Sequence, residues 1–173
     1  MVAALALAAL LSTASVASAC PGAGRPAGSQ SPGATRHAIR CLINHKRAHS
    51  GAPHVRRNAA LAAAAKGHSA TMDRQNFFAH DGSDGNPGTR AEAAGYTRGW
   101  PVWSIGEDLG FGTGQAGSPR SIVAAWMHSA EHRGVLLSPD WRQVGVGVIN
   151  GSPFGADGAG MATYAVDFGY RRR

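Results

Sequence analysis

Apolar residues return at helical spacing in "HAIRCLINHKRAH", where Ile39, Leu42 and Ile43 share a face. The pattern predicts a helix that starts near His37 and stops at Gly51 and Pro53. Asn58 is a good N-cap for "NAALAAAAKGHSATMDR", an Ala-rich second helix reaching about Arg74. The turn-rich "NFFAHDGSDGNPG" follows, then a short helix "RAEAA" that Thr89 can cap and Gly95 ends. "WPVWSIGEDLGFGTGQAG" reads as a loop around a short apolar piece. Ser118-Pro119 supplies an N-cap and N1 pair for "RSIVAAWMHSA". The alternation in "QVGVGVI" and "MATYAVDFG" predicts two strands, with Val144 and Val146 on a core face. Helices first and a strand pair last suit an α+β fold with helices packed on an antiparallel sheet. Phe77, Phe78 and Trp126 at helix ends are expected in its core.

The N-terminus changes the picture. Val2–Leu11 is apolar, and Ala17-Ser18-Ala19 forms an A-x-A cleavage signal before Cys20. Residues 1–19 therefore read as a secretory signal peptide, too short for a membrane span, although its basic n-region is missing. "PGAGRPAGSQSPGAT" makes residues 20–36 an arm or linker, followed by one domain over 37–170 and a basic tail at 171–173. The expected location is extracellular, with envelope association a further expectation. Two cysteines, Cys20 and Cys41, survive cleavage, and an even count in an oxidising compartment favours one disulfide. A lipoprotein in which Cys20 is the acylated first residue is the alternative.

At 173 residues, 43% hydrophobic and 16% charged, the chain can build one core. Its formal net charge is +7, and all its basic residues except Lys46 and Lys66 are arginines. Together with the many Ala and Gly residues, this is the composition of a GC-rich bacterial genome. The charge suits contact with anionic envelope polymers, lipid head groups or a peripheral anionic surface. No basic motif with interleaved aromatics points to nucleic acid.

His128-Ser129-Ala130-Glu131-His132 is literally an H-x-x-E-H zinc-peptidase pattern. That chemistry needs a downstream glutamate as third ligand, and Glu131 is the last of only three glutamates. A turn inside "HSAEHR" would also break the helix the pattern requires. The scattered His37, His45, His49, His54 and His68 read as surface residues, and one of Trp100 and Trp103 as a candidate groove wall.

"NFFAHDGSDG", "IGEDLGFG", "AWMHSAEHRGVLLSPDWRQVGVGV" and "YAVDFG" occur in that order, behind "CLINHKRAHSGAPHVRRNAALAAAAKGHSATM". In this arrangement they resemble the bacterial secreted branch of the CAP superfamily, the cysteine-rich secretory, antigen 5 and pathogenesis-related 1 proteins. The resemblance runs from about Arg36 to Tyr170. It implies a three-layer α-β-α sandwich with a small antiparallel sheet and a central groove. It also implies that His80, Glu107 of Gly106-Glu107 and His132 point into that groove, where the two histidines would hold a divalent metal such as zinc. Asp108 stands where the family has Asn, Val135 stands at the H-R-x-N asparagine, and Ser129 stands where the eukaryotic branch has a second Glu. Asp108 and Glu131 therefore join the groove candidates without a matched role.

Three functions are open at this point. The first is a secreted binder of a lipid, sterol-like molecule or wall polymer, requiring no cofactor. The second is a hydrolase using His80, Glu107 and His132, with or without zinc. The third is a structural envelope protein. No Ser or Cys nucleophile beside a base is apparent, so enzymatic activity stays undecided.

Overall fold

A computed structural model describes residues 20–155 and 160–173; the signal-peptide reading of residues 1–19 lies outside the described residues. Its helices are α1 (Pro32–His49), α2 (Ala59–Gln75), α3 (Pro87–Ala93), α4 (Pro119–His128) and α5 (Ala130–Leu137). The strands are β1 (Arg56–Arg57), β2 (Val102–Thr113), β3 (Gln143–Ile149) and β4 (Met161–Arg172). The sheet order is β1-β3-β4-β2, with β2/β4 and β3/β4 antiparallel and β1 parallel to β3. The sheet is therefore mixed at one edge, not purely antiparallel.

"QVGVGVI" explains how the layers stack. Val144, Val146 and Val148 face α1, α4 and α5, joining Ile39, Ile43, Val123, Trp126 and Leu136 in the main core. Gly145 and Gly147 face α2, and a Cβ on Gly145 would lie 2.1 Å from the Leu61 carbonyl carbon. The glycines let the Ala-rich α2 lie backbone-to-backbone on the sheet, a close approach that side chains would prevent. Helices thus cover both faces and give the α-β-α sandwich.

Five boundaries differ from the sequence reading. The helix expected from His37 begins at Pro32, because Ser31 caps it and Pro32 opens it, the same pair that starts α4 at Ser118-Pro119. The 20–36 segment is no loose arm either. Cys20, Ala23 and Ala27 are buried in the main core, and the disulfide Cys20–Cys41 ties them to α1. That bond uses the sulfur a lipid thioether would need.

"VWSIGEDLGFGT", read as a loop, is the 12-residue strand β2. Its glycines look like loop residues, yet Gly106 and Gly110 are where Trp141 and Trp126 pack onto the strand. The tail expected at 171–173 largely belongs to β4, and Arg171 stacks over Tyr96 and Trp100. The short helix is capped by Asn86, not Thr89. Of the aromatics expected in the core, Trp126 is buried, whereas Phe77 and Phe78 are half-buried.

Candidate functional site

The loop between α2 and α3 carries His80 across the β2 edge of the sheet. It leaves α2 through Asn76, which adopts the left-handed conformation at φ 55°, and it turns back where Gly82 and Gly85 pair. Two side chains pin it. His68 of α2, fully buried, sets Nδ1 3.0 Å from an Asp84 carboxylate oxygen and Nε2 2.9 Å from the Ala79 carbonyl. Arg90 of α3 donates to the carbonyls of His80 and Gly85. The expectation that His68 is a surface residue is therefore corrected: it faces inward on α2 and holds the loop.

Arg90 also reaches the chemistry. Its Nη2 lies 2.7 Å from Glu107 Oε2, while His80 Nδ1 lies 2.8 Å from Glu107 Oε1. The Glu107 side chain is 1% exposed and that of His80 54% exposed, so a buried carboxylate orients a half-open imidazole. The free ring nitrogen, Nε2, is the one left for a ligand or a water.

Burial alone would lift the Glu107 carboxyl. The hydrogen bond to His80 and the Arg90 charge more than offset that, holding it below its ordinary range. The hydrogen bond to Glu107 in turn raises His80 above the usual imidazole value, against the opposing effect of burial. Asp108, next in sequence, points to the other face, and burial pushes it up to about 8. Asp167, opposite Glu107 in the register, is pushed well up by burial, with Glu107's negative charge adding to the shift.

The structure brings His80 and Glu107 together as the sequence pairing requires. His132 makes no hydrogen bond or ion pair to either through its side chain, and its Nδ1 is buried without a partner among the described residues. Glu131 is exposed and bonds to nothing among the described residues. Asp108 is buried, with both oxygens unpartnered among the described residues. His128 and His132 lie on different helices, since Ser129, at ψ 130°, ends α4 and caps α5. That break removes the single-face geometry an H-x-x-E-H zinc site needs.

The zinc expectation for His80 and His132 meets the same difficulty. Among the described residues no group of three or more His, Cys, Asp or Glu side chains is placed to hold a metal. Both Glu107 oxygens are already engaged by His80 and Arg90. The donors as arranged do not fit a zinc site with three protein ligands.

Arg90, Asp84, His68 and Asp167 were not foreseen as members of the site. Arg90 sits in a seven-residue helix with no periodicity to mark it. Asp167 was legible only as a polar residue inside an apolar strand. Trp103 packs near Gly88, and Trp100 lies under Arg171 and Arg173.

The surroundings are aromatic. Glu107, Leu109 and Phe111 alternate onto one face of β2. Phe111 meets Phe78 and Phe154 at ring distances of 5.0 Å each. Phe111 is 41% and Phe154 56% exposed, so this aromatic trio stays open to solvent.

Comparison with known proteins agrees with this architecture. An extracellular protein with an SCP domain from Bacillus anthracis superposes with a TM-score of 0.62 at 23% identity, covering 84% of this chain and 45% of that one. An outer surface protein of Borrelia burgdorferi gives 0.64 at 19% identity, over 78% of this chain and 90% of that one. A cysteine-rich secretory protein of Staphylococcus aureus gives 0.56 at 16% identity, over 82% and 40% respectively. This chain thus spans less than half the length of the Bacillus and Staphylococcus proteins, and at these identities the likeness is one of fold. No curated protein matches the sequence. Residues 41–166, well over half of the chain, match the cysteine-rich secretory protein family, and the chain belongs to that CAP family.

Proposed function

We propose that this CAP domain works outside the cell by binding an amphiphilic molecule, a lipid or sterol-like compound, at the β2 edge. The observation that carries the reading is the pairing of one oriented polar group with an open aromatic surface. His80 presents Nε2 at the rim, and Phe111 of β2 offers apolar area together with Phe78 and Phe154 from neighbouring loops. Glu107 and Arg90 preorganise His80, so a bound head group need not order it. Among the described residues no helix is long and apolar enough to cross a membrane, which fits a domain that meets lipid from outside.

The test is a fluorescent sterol or fatty-acid probe titrated into the wild-type chain, His80→Ala and Phe111→Ala. Each substitution is expected to weaken binding at least tenfold. Unchanged affinity in both would remove the reading.

One observation favours a second reading. An imidazole held at Nδ1 by a buried carboxylate, with Nε2 free, is the orientation a general base uses on water. A hydrolase of this kind would lose ester turnover in His80→Gln and show a rate that rises with deprotonation of His80.

A further inference from the structure

The opposite edge of the sheet has its own chemistry. No Asp or Glu occurs before Asp73, so eight of the 17 basic residues and none of the ten acidic ones lie in the first 72 positions. Of these eight, Arg36, Arg40, Lys46 and Arg47 lie in α1, Arg56 and Arg57 in β1 and Lys66 in α2, elements that meet where the two-residue β1 ends and leaves β3 open, and Arg25 precedes α1. There a cavity of about 230 Å³ is lined by Arg36, His37 and Arg40 of α1, Arg57 of β1, and Val144 and Val146 of β3. Arg36 and Arg57 also line a second hollow of about 230 Å³ with Lys66. His37 is shared with a third, of about 450 Å³, that holds Arg25.

Three adjoining hollows thus carry Arg25, Arg36, Arg40, Arg57 and Lys66, and no carboxylate lines any of them. Among the described residues none of these five cations has an ion-pair partner; the only side-chain contact among them is Arg40 Nη2 at 3.5 Å from His37 Nδ1. Charge of one sign in a concave, low-dielectric wall focuses potential and calls for a counterion. Blunting an open strand edge takes only a charge or two, which leaves Arg25 and Lys66 unexplained. The second hollow also faces the first turn of the 17-residue α2 through Ala59, Ala62 and Ala63. Asn58 already takes the Ala60 and Leu61 N–H groups, so the helix adds its field and few donors.

We propose that the α1–β1–α2 edge is a binding site for a linear polyanion that carries phosphate groups. Guanidinium forks match phosphate oxygens two at a time, and four of the five cations are arginines. Two of the hollows fall below the ~300 Å³ at which whole small ligands are usually enclosed, so each takes a group of a repeating chain. No Phe, Trp or Tyr lines them to stack on a base, which argues against nucleic acid. Among the described residues the exposed large apolar ones, Val102, Phe111 and Phe154, lie elsewhere, so none of them gives this edge a group to insert into a bilayer. The site is separate from the His80 rim and does not depend on the amphiphile reading.

The test is calorimetric titration of the full chain with long-chain inorganic polyphosphate. Monomeric phosphate at equal phosphate concentration and vesicles containing phosphatidylglycerol are run beside it. Arg36→Gln/Arg57→Gln is compared with Arg172→Gln/Arg173→Gln, which removes the same charge from the end of β4. The first pair is expected to lower polyphosphate affinity at least tenfold and to reduce the salt slope by about two. The β4 pair is expected to change affinity less than twofold, and monomeric phosphate to bind far more weakly. Arg40→Gln/Lys66→Gln, on the same hollows, repeats the result should the first pair fail to fold. Equal losses from both edges would overturn the proposal in favour of diffuse charge. Vesicle binding that follows the Arg36/Arg57 pair while polyphosphate binding does not would overturn it in favour of a membrane surface.

Discussion

Asp108 offers the sharpest test of the site's electrostatics. It is buried on the face packed by α4 and α5, neither of its oxygens has a partner among the described residues, and burial pushes it up to about 8 from an ordinary 3.8. A carboxyl raised in the folded state binds its proton more tightly there than in the unfolded chain. Its contribution to stability therefore falls as pH rises, beginning near the unfolded value and ending near the folded one. Between about pH 5 and about pH 7 the unfolded carboxyl is ionised and the folded one is not. Each unit then costs the folded state about 1.4 kcal/mol, or ~2.5 kcal/mol across the window. Asp108→Asn keeps the shape of the neutral acid and cannot ionise. Urea unfolding of both proteins at the two pH values, followed by Trp126 and Trp141 fluorescence, isolates the effect, because Glu107 and His80 titrate in both. The variant's advantage over the wild type is expected to grow by about 2.5 kcal/mol from the lower pH to the higher. A wild-type-to-variant difference that stays constant across the window would refute the reasoning, since Asp108 would then be ionised throughout.

Other expectations rest on geometry. Glu107→Ala leaves the buried Arg90 guanidinium only one carboxylate contact, the longer 3.8 Å one with Asp84, and should cost about 3 kcal/mol in urea unfolding. Replacing Cys20 and Cys41 by Ser opens a loop of sequence separation 21. The chain-entropy estimate for that loop is a loss of about 3 kcal/mol, read as a lower denaturation midpoint without reductant. Gly145→Ala drives a Cβ into the α2 backbone, which cannot yield as a side chain would, and should lower stability by about 3 kcal/mol in thermal melts. Ser129→Ala removes the N-cap of α5 and should cost about 1 kcal/mol, with the loss of amide protection confined to the first turn of α5 in hydrogen exchange.

How far the fold was legible follows from which signals are local. Caps are local, so Asn58 and Ser118 marked their helices, and Ser31-Pro32 carried the same signal inside a segment whose Gly and Pro content suggested a linker. Strand β2 was hidden because its glycines serve tertiary partners: Trp141 and Trp126 occupy the space that side chains at Gly106 and Gly110 would fill. That His80 and Glu107 share a groove was legible only as what the resemblance to the CAP family implies. Arg90 and His68 stayed hidden because the loop they fasten is defined by contacts across 10 to 17 positions, which no periodicity records. The basic edge was visible only as net charge, since its cations are adjacent in the fold and spread from position 25 to position 66 in the chain.

The charge state of the β2 edge bears directly on what it can bind. Glu107, Asp108 and Asp167 are three carboxyl groups at neighbouring positions of β2 and β4, yet their environments push them apart. Glu107 has Arg90 and His80 and is held below its ordinary range; burial, with Glu107's negative charge added to it, pushes Asp108 up to about 8 and Asp167 well above the usual carboxylate range. One anion then faces one fixed cation and one titratable imidazole. The contribution of Glu107 is present above the ordinary carboxyl value and lost as pH falls through its lowered one. The contribution of His80 is present below the ordinary imidazole value and lost as pH rises through its raised one. The pair is thus strongest in the mildly acidic range between those limits, where the protonated His80 turns Nε2–H outward as a donor. A ligand head group that accepts a hydrogen bond, such as a carboxylate or a sterol hydroxyl oxygen, should therefore bind more tightly at about pH 6 than at about pH 8. In His80→Asn, which keeps a donor but cannot titrate, that pH dependence should vanish; if it persists, the titrating group lies elsewhere.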